Sequence, residues 1–130
     1  GARLAMTQAL RSARIEPKDV GYVNLHGTAS RKNDEVEAQL IAELFPPAAL
    51  ASSTKAWTGH ALGAAGIVEA AVCLLALEQG FVPGTLNLQE PDPACGPQII
   101  ADNVVCVPRY AVNNSFGFGG SNCSLVFGHG

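Results

Sequence analysis

The sequence predicts an α/β fold: layered α/β/α, with a mixed sheet carrying an antiparallel C-terminal edge. Three observations carry this. Helical apolar stripes alternate with short strand-like runs through the first two-thirds of the chain, the order from which parallel sheets are built. Two strand-like runs then close the sequence, joined by a short glycine-rich loop, which is the pattern of an antiparallel pair. The 130 residues are 48% apolar and only 15% charged, so there is enough apolar surface to bury for one packed domain spanning 1–130.

The elements follow in order. Gly1 to Ala13 places Leu4, Ala5, Ala9 and Ala13 near helical spacing, with no N-cap before it, as expected for a piece of a longer chain. Pro17 and Asp19 make a turn, and Tyr22–Leu25 reads as a strand ending at His26-Gly27. Asn33 is the expected N-cap of a helix with Asp34 and Glu35 in its first turn. Val36, Leu40, Ile41, Leu44 and Phe45 form its stripe, and Pro46-Pro47 stops it. Ala49–Ser53 is the next strand, Lys55–His60 a loop, and Ala61–Gln79 a long helix closed by Gly80. Pro83, Gly84, Pro91, Pro93 and Gly96 mark an extended connector. Ile99–Ile100 and Val104–Val107 are short strand candidates, and Tyr110–Ser115 and Asn122–Phe127 stronger ones. No internal repeat is visible.

Composition excludes several function classes. Eight basic against eleven acidic residues leave a net charge of −3, which argues against nucleic-acid partners and against an anionic-membrane anchor. The four cysteines, Cys73, Cys95, Cys106 and Cys123, contain no Cys-x-x-Cys pair, so no metal site is expected. Their sparseness suits reduced thiols and a cytoplasmic setting. The opening residues carry Arg3, Arg11 and Arg14 and read as no signal peptide. The longest apolar run, Ala61–Leu77, holds Glu69 and is shorter than the roughly 20 residues of a membrane span, so a buried helix is expected.

Three polar clusters sit where open α/β sheets keep their sites, just beyond strand ends. In His26-Gly27-Thr28-Ala29-Ser30 the imidazole could polarise a carbonyl or move a proton, or could merely close a turn. In the second cluster, Lys55 and His60 precede the apolar helix. A histidine at that helix's N-terminus would be held neutral by the dipole, suited to stabilising an oxyanion or enolate. Gly63 and Gly66 would share one side of the helix and permit close packing. Glu69 is its only charge before Leu77, so it needs a partner, and Lys55 is the candidate; a solvent edge is the plainer alternative. The third cluster, Asn114 to Asn122, has a glycine loop that could present N–H groups to a ligand or serve only as a hairpin turn.

Together these motifs resemble the C-terminal half of β-ketoacyl-acyl-carrier-protein synthases, the condensing enzymes of fatty-acid and polyketide synthesis. The matching pieces are Gly21-Tyr22-Val23-Asn24-Leu25-His26-Gly27-Thr28, then Ser53-Thr54-Lys55 with Thr58-Gly59-His60 and Gly63-Ala64-Ala65-Gly66, then Asn114-Ser115-Phe116-Gly117-Phe118-Gly119-Gly120. They occur in the family's order and span nearly the whole chain. The resemblance implies a thiolase-like half-fold and an absent N-terminal half that carries a cysteine nucleophile. It implies acyl transfer with decarboxylative condensation of malonyl groups on an acyl carrier protein, and a homodimer when full length. No cofactor is implied beyond the carrier's phosphopantetheine.

By the same resemblance His26 and His60 are the active-site histidines, Lys55 and Glu69 the lysine and buried acid that organise charge near them. Thr28 and Ser30 match the hydroxyls that contact phosphopantetheine. Phe118 matches the gating phenylalanine, whose N–H completes an oxyanion hole, and Gly119 belongs to the same substrate-binding loop. Ser30 stands where threonine is more usual, and Arg31-Lys32 replace a segment that often begins with proline. No cysteine here matches the nucleophile, so the chain alone should be inactive. A thiolase relative acting on coenzyme A esters and a non-catalytic chain-length-factor-like subunit are the alternatives; the retained His26, His60 and Lys55 favour an active synthase.

Overall fold

A computed structural model describes residues 1–130, the side chain of Phe118 excepted. Helix α1 (Ala2–Ala13) turns Met6 and Leu10 inward and ends at Arg14 in the left-handed region. A 3₁₀ turn, Pro17–Asp19, is closed by reciprocal capping of Glu16 and Asp19 and leads into β1 (Val20–Asn24). Helix α2 (Arg31–Leu44) begins two residues before the expected cap: Ser30, in extended conformation, is its N-cap, and Asn33 lies inside the first turn. Strand β2 (Leu50–Ser52) is shorter than expected.

Lys55 to His60 is not simply a loop, because Lys55–Thr58 form a one-turn helix, α3. Nor does the apolar helix begin at Ala61. Gly59 (φ 77°, ψ 167°) breaks the chain, Leu62–Ala64 make a 3₁₀ turn, and α4 runs from Ala65 to Gln79, with Gly80 (φ 65°) as its left-handed cap. The connector is partly stitched: β3 (Phe81–Val82) pairs antiparallel with β4 (Val104–Val105). Ile99–Ile100 is reduced to one parallel bridge from Ile99 to Ala51. Strands β5 (Tyr110–Phe116) and β6 (Asn122–Gly128) are each one residue longer than their sequence signals.

The main sheet has the order β2-β1-β5-β6. β1 runs parallel to both β2 and β5, and β6 is antiparallel to β5, which is the mixed sheet with an antiparallel edge that the sequence predicts. Alternate residues divide the core between the two faces. Val23 and Val112 pack with Met6, Leu10, Ile41 and Phe45 beneath α1 and α2. Tyr22 and Ala111 pack with Cys73, Ala76 and Leu77 of α4 on the other face.

The apolar helix is only half-covered, contrary to the fully buried helix expected. Glu69, Cys73, Ala76 and Leu77 face the sheet, while Ile67 is 75% and Leu75 54% exposed. By length and composition Leu62–Gln79 could cross a membrane, and its inner face is packed against the sheet.

Candidate active site

Because β1 is parallel to its two neighbours, the carboxyl ends of β1, β2 and β5 share one rim, and each releases one polar cluster there. His26 follows β1, Lys55 and His60 follow β2, and Phe116 ends β5. The rings of His26 and His60 meet edge-on, with centroids 5.9 Å apart and planes at 87°. Phe116 lies 5.6 Å from His26 on another side. These groups border a cleft of about 1040 Å³, which Thr28, Ser30 and Lys32 also line. Clusters far apart in the chain therefore form one site.

Lys55 opens α3 and is buried. Its Nζ donates to the carbonyl oxygen of His26 and forms an ion pair with Glu69, itself only 1% exposed. The pairing expected of Glu69 is thus present, and the solvent-edge alternative falls. Burial raises the Glu69 pKa, and the Lys55 ammonium opposes that shift. Gly66 does bring α4 close to β5: a Cβ there would lie 3.1 Å from Ser115 Oγ, and its carbonyl accepts from Asn113 Nδ2. Gly63 does not share this role. It lies in the 3₁₀ turn, where an added Cβ would meet nothing within 4 Å.

The two imidazoles are held differently. His60 is exposed, and its Nδ1 accepts the N–H of Leu62, which leaves Nε2 to carry the proton and donate outward. The helix-terminus argument for this ring does not hold, since α4 begins five residues later. The pKa of His26 is lowered to about 4 by burial, by the Lys55 ammonium and by His60, so this imidazole is neutral. Its Nδ1 is buried with no hydrogen-bond partner among the described residues.

Gly119 adopts φ 78° in the turn after β5, and Gly117 N–H closes that loop onto the carbonyl of Ser121. The Phe118 side chain lies outside the described residues. Among the thiols, Cys73 is pushed up to about 12 by burial, and burial also raises Cys95 and Cys106. Cys123 lines the cleft on an exposed strand.

One buried acid beside the site escaped the sequence reading. Glu37 of α2 is 2% exposed, and its two carboxylate oxygens accept the backbone N–H groups of His26 (2.8 Å) and Gly27 (2.9 Å). The available signal was its position four residues before buried Ile41, on the inward stripe of the helix. The other acids of this polar helix, Asp34, Glu35 and Glu43, are not buried, and they mask that signal.

Comparison with known proteins defines the class first. The fold matches a beta-ketoacyl synthase from Burkholderia phymatum STM815, with a TM-score of 0.92 and 37% identity over 99% of this chain and 32% of that one. A type II PKS acyl-carrier protein in complex with its ketosynthase bound to the hexaketide matches with a TM-score of 0.88 and 32% identity, covering 97% of this chain and 32% of that one. The architecture is that of the thiolase-like ketosynthases.

Residues 1–89 match the family described as beta-ketoacyl synthase, C-terminal domain, and the chain belongs to that family. It is 45% identical over 134 aligned residues to the mitochondrial 3-oxoacyl-[acyl-carrier-protein] synthase of Arabidopsis thaliana, covering 98% of this chain and 29% of the relative. The chain spans about a third of the length of the curated relatives it matches.

Proposed function

We propose that this chain is the malonyl-activating part of a 3-oxoacyl-[acyl-carrier-protein] synthase, completed by an N-terminal half that supplies a cysteine nucleophile. The observation that carries this reading is the meeting of His26 and His60 at 5.9 Å over one cleft, with Lys55 and Glu69 buried behind them. Two imidazole donors bordering one cleft suit an oxygen that gains negative charge.

In the proposed reaction a malonyl group enters as a thioester of the carrier protein's phosphopantetheine, with Thr28 and Ser30 along the arm's path. The bond between the carboxylate and the α-carbon breaks, carbon dioxide leaves, and its electron pair forms an enolate. His26 and His60 donate hydrogen bonds to the enolate oxygen. A neutral His26 suits this role, because it donates one proton without surrendering it. The enolate carbon then attacks the acyl group on the cysteine of the absent half, with the Phe118 N–H, in the Gly119 loop, helping to hold the tetrahedral oxyanion. The carbon–sulfur bond breaks, freeing the β-ketoacyl product and the cysteine thiolate.

Lys55 and Glu69 supply fixed charge behind the histidines and do not attack substrate. The full-length protein acts as a homodimer on acyl-carrier-protein substrates in the cytoplasm, binds no cofactor of its own, and needs neither nucleic acid nor membrane. The 130-residue chain alone does not condense.

The test uses the full-length protein. His26→Ala and His60→Ala should each abolish malonyl-thioester decarboxylation while acyl transfer to the cysteine is less affected. Undiminished decarboxylation in both variants would remove the assignment.

A further inference from the structure

The segment that follows β1 deals its side chains alternately to two cavities. His26, Thr28, Ser30 and Lys32 line the active-site cleft. Gly27 and Ala29, between them, line a second hollow of about 580 Å³, which Thr28 also reaches. The backbone follows the same alternation: φ is positive at Gly27 (39°) and at Ala29 (62°), and at none of the residues between. From β1 outward, one wall of the cleft therefore presents an imidazole, two hydroxyls and an ammonium group. The Ser30 hydroxyl is not spent on the chain, since Ser30 caps α2 without a side-chain hydrogen bond.

Lys32 is the uncommitted charge on this wall. It is exposed and makes no ion pair among the described residues, whereas its neighbour Arg31 is held by Glu35 at 3.0 Å. Asp34 lines the second hollow and not the cleft. Among the described residues the one carboxylate on the cleft lining is Glu37, and its two oxygens already accept the amides of His26 and Gly27. The ammonium therefore faces the cleft mouth with its charge unopposed. An ammonium is a compact point charge with three donors on a flexible stem, suited to the oxygens of a phosphate.

A phosphopantetheine thioester carries its acceptors in the matching order: the thioester oxygen at the reacting end, two amides along the arm, a phosphate at the far end. Resting on the condensing-enzyme reading above, we propose that Lys32 is a specificity-determining residue that binds the phosphodiester of a carrier-bound phosphopantetheine arm. It does so at the outer end of the wall on which His26 meets the thioester oxygen. Arg31, locked to Glu35, takes no part.

The experiment compares wild type, Lys32→Ala and Lys32→Arg in the full-length protein. Decarboxylation is followed with malonyl-pantetheine, which lacks phosphate, and with malonyl-phosphopantetheine, malonyl-coenzyme A and a malonyl-loaded acyl carrier protein. Lys32→Ala should lower the ratio of kcat/KM for malonyl-phosphopantetheine to that for malonyl-pantetheine about 5-fold, through KM, the scale of one exposed charge pair. The loaded carrier should lose a similar factor. Lys32→Arg should keep most of the ratio, and added salt should shrink the wild-type ratio towards that of Lys32→Ala. An unchanged ratio in Lys32→Ala would overturn the proposal. So would an equal loss on malonyl-pantetheine, or a loss confined to malonyl-coenzyme A, which would put the recognised phosphate on the nucleotide. Binding of phosphopantetheine against pantetheine, read by ligand NMR, needs no turnover: wild type should prefer the phosphate form, and Lys32→Ala should not. If no malonyl thioester is decarboxylated, the reaction assignment falls, while these affinities still judge Lys32 by themselves.

Discussion

The two sides of the cleft hold their histidines by opposite means. On the β1 side, His26 is half-buried and tied through its main chain to Glu37 and Lys55. On the α4 side, His60 is exposed, follows Gly59, and among the described residues its ring's one hydrogen bond is from the Leu62 N–H two residues on. Where a side chain is placed through buried charged partners, stability and placement are the same interaction. Where it hangs from a turn, the backbone torsions set it, and little else depends on them.

That contrast can be broken most severely at Lys55. Removing it leaves Glu69 buried without its partner and frees the His26 carbonyl. Lys55→Ala should destabilise by about 3–5 kcal/mol, the usual cost of stranding one member of a buried pair. Denaturant unfolding checks this, and Lys55→Ala with Glu69→Ala should recover part of the loss. An unchanged midpoint would mean that the β1 side is no more tightly tied than the α4 side.

The glycines sharpen the comparison. A Cβ at Gly27 would lie 2.5 Å from Ser53 Cβ, and φ there is 39°. Overpacking of this kind costs about 1–3 kcal/mol, so Gly27→Ala should lower the melting temperature, and Ser53→Gly should restore some of it. At Gly59 an added Cβ meets nothing within 4 Å, yet φ 77° with ψ 167° is a region that side-chain-bearing residues avoid. Gly59→Ala should cost about 1–3 kcal/mol through torsional strain alone, with no rescue from a neighbouring substitution. Double-variant melting curves distinguish the two mechanisms.

A pH dependence is also expected at His26. The folded His26 pKa, about 4, lies below its ordinary value of 6.5. Between those values the unfolded chain takes up a proton that the folded one refuses. This contribution is therefore complete above pH 6.5 and is lost as pH falls towards 4. Wild type should lose stability relative to His26→Gln over that window. A constant difference between the two would show that His26 is not held neutral.

Much of the fold was legible because periodicity is local. Val23 and Tyr22 point to opposite faces simply by being adjacent on a strand, and the Ile41–Phe45 spacing places both on the inner side of α2. The two terminal strands were read nearly to their ends. Errors gathered at boundaries where a local signal met a competing one. Asn33 is a good cap, but Ser30 already stood extended at the end of the His26 loop. The apolar run from Ala61 looked continuous, but Gly59 and the 3₁₀ turn delay the helix by four residues. The β3–β4 pairing went unread because its two strands are short and separated by a long connector.

The site divides in the same way. Residue chemistry along the chain raised His26, Lys55, His60 and Glu69 as candidates beside plainer readings, and the resemblance assigned their roles; it also led to the expectation that Lys55 and Glu69 would pair, since a lone charge in an apolar helix demands a counter-ion. Packing alone decided that His26 is kept neutral and that Glu37 grips the turn. Both depend on burial and on distances of a few ångströms between residues far apart in sequence. No local pattern encodes such distances; they exist only once α2, α3 and the sheet have closed around one rim.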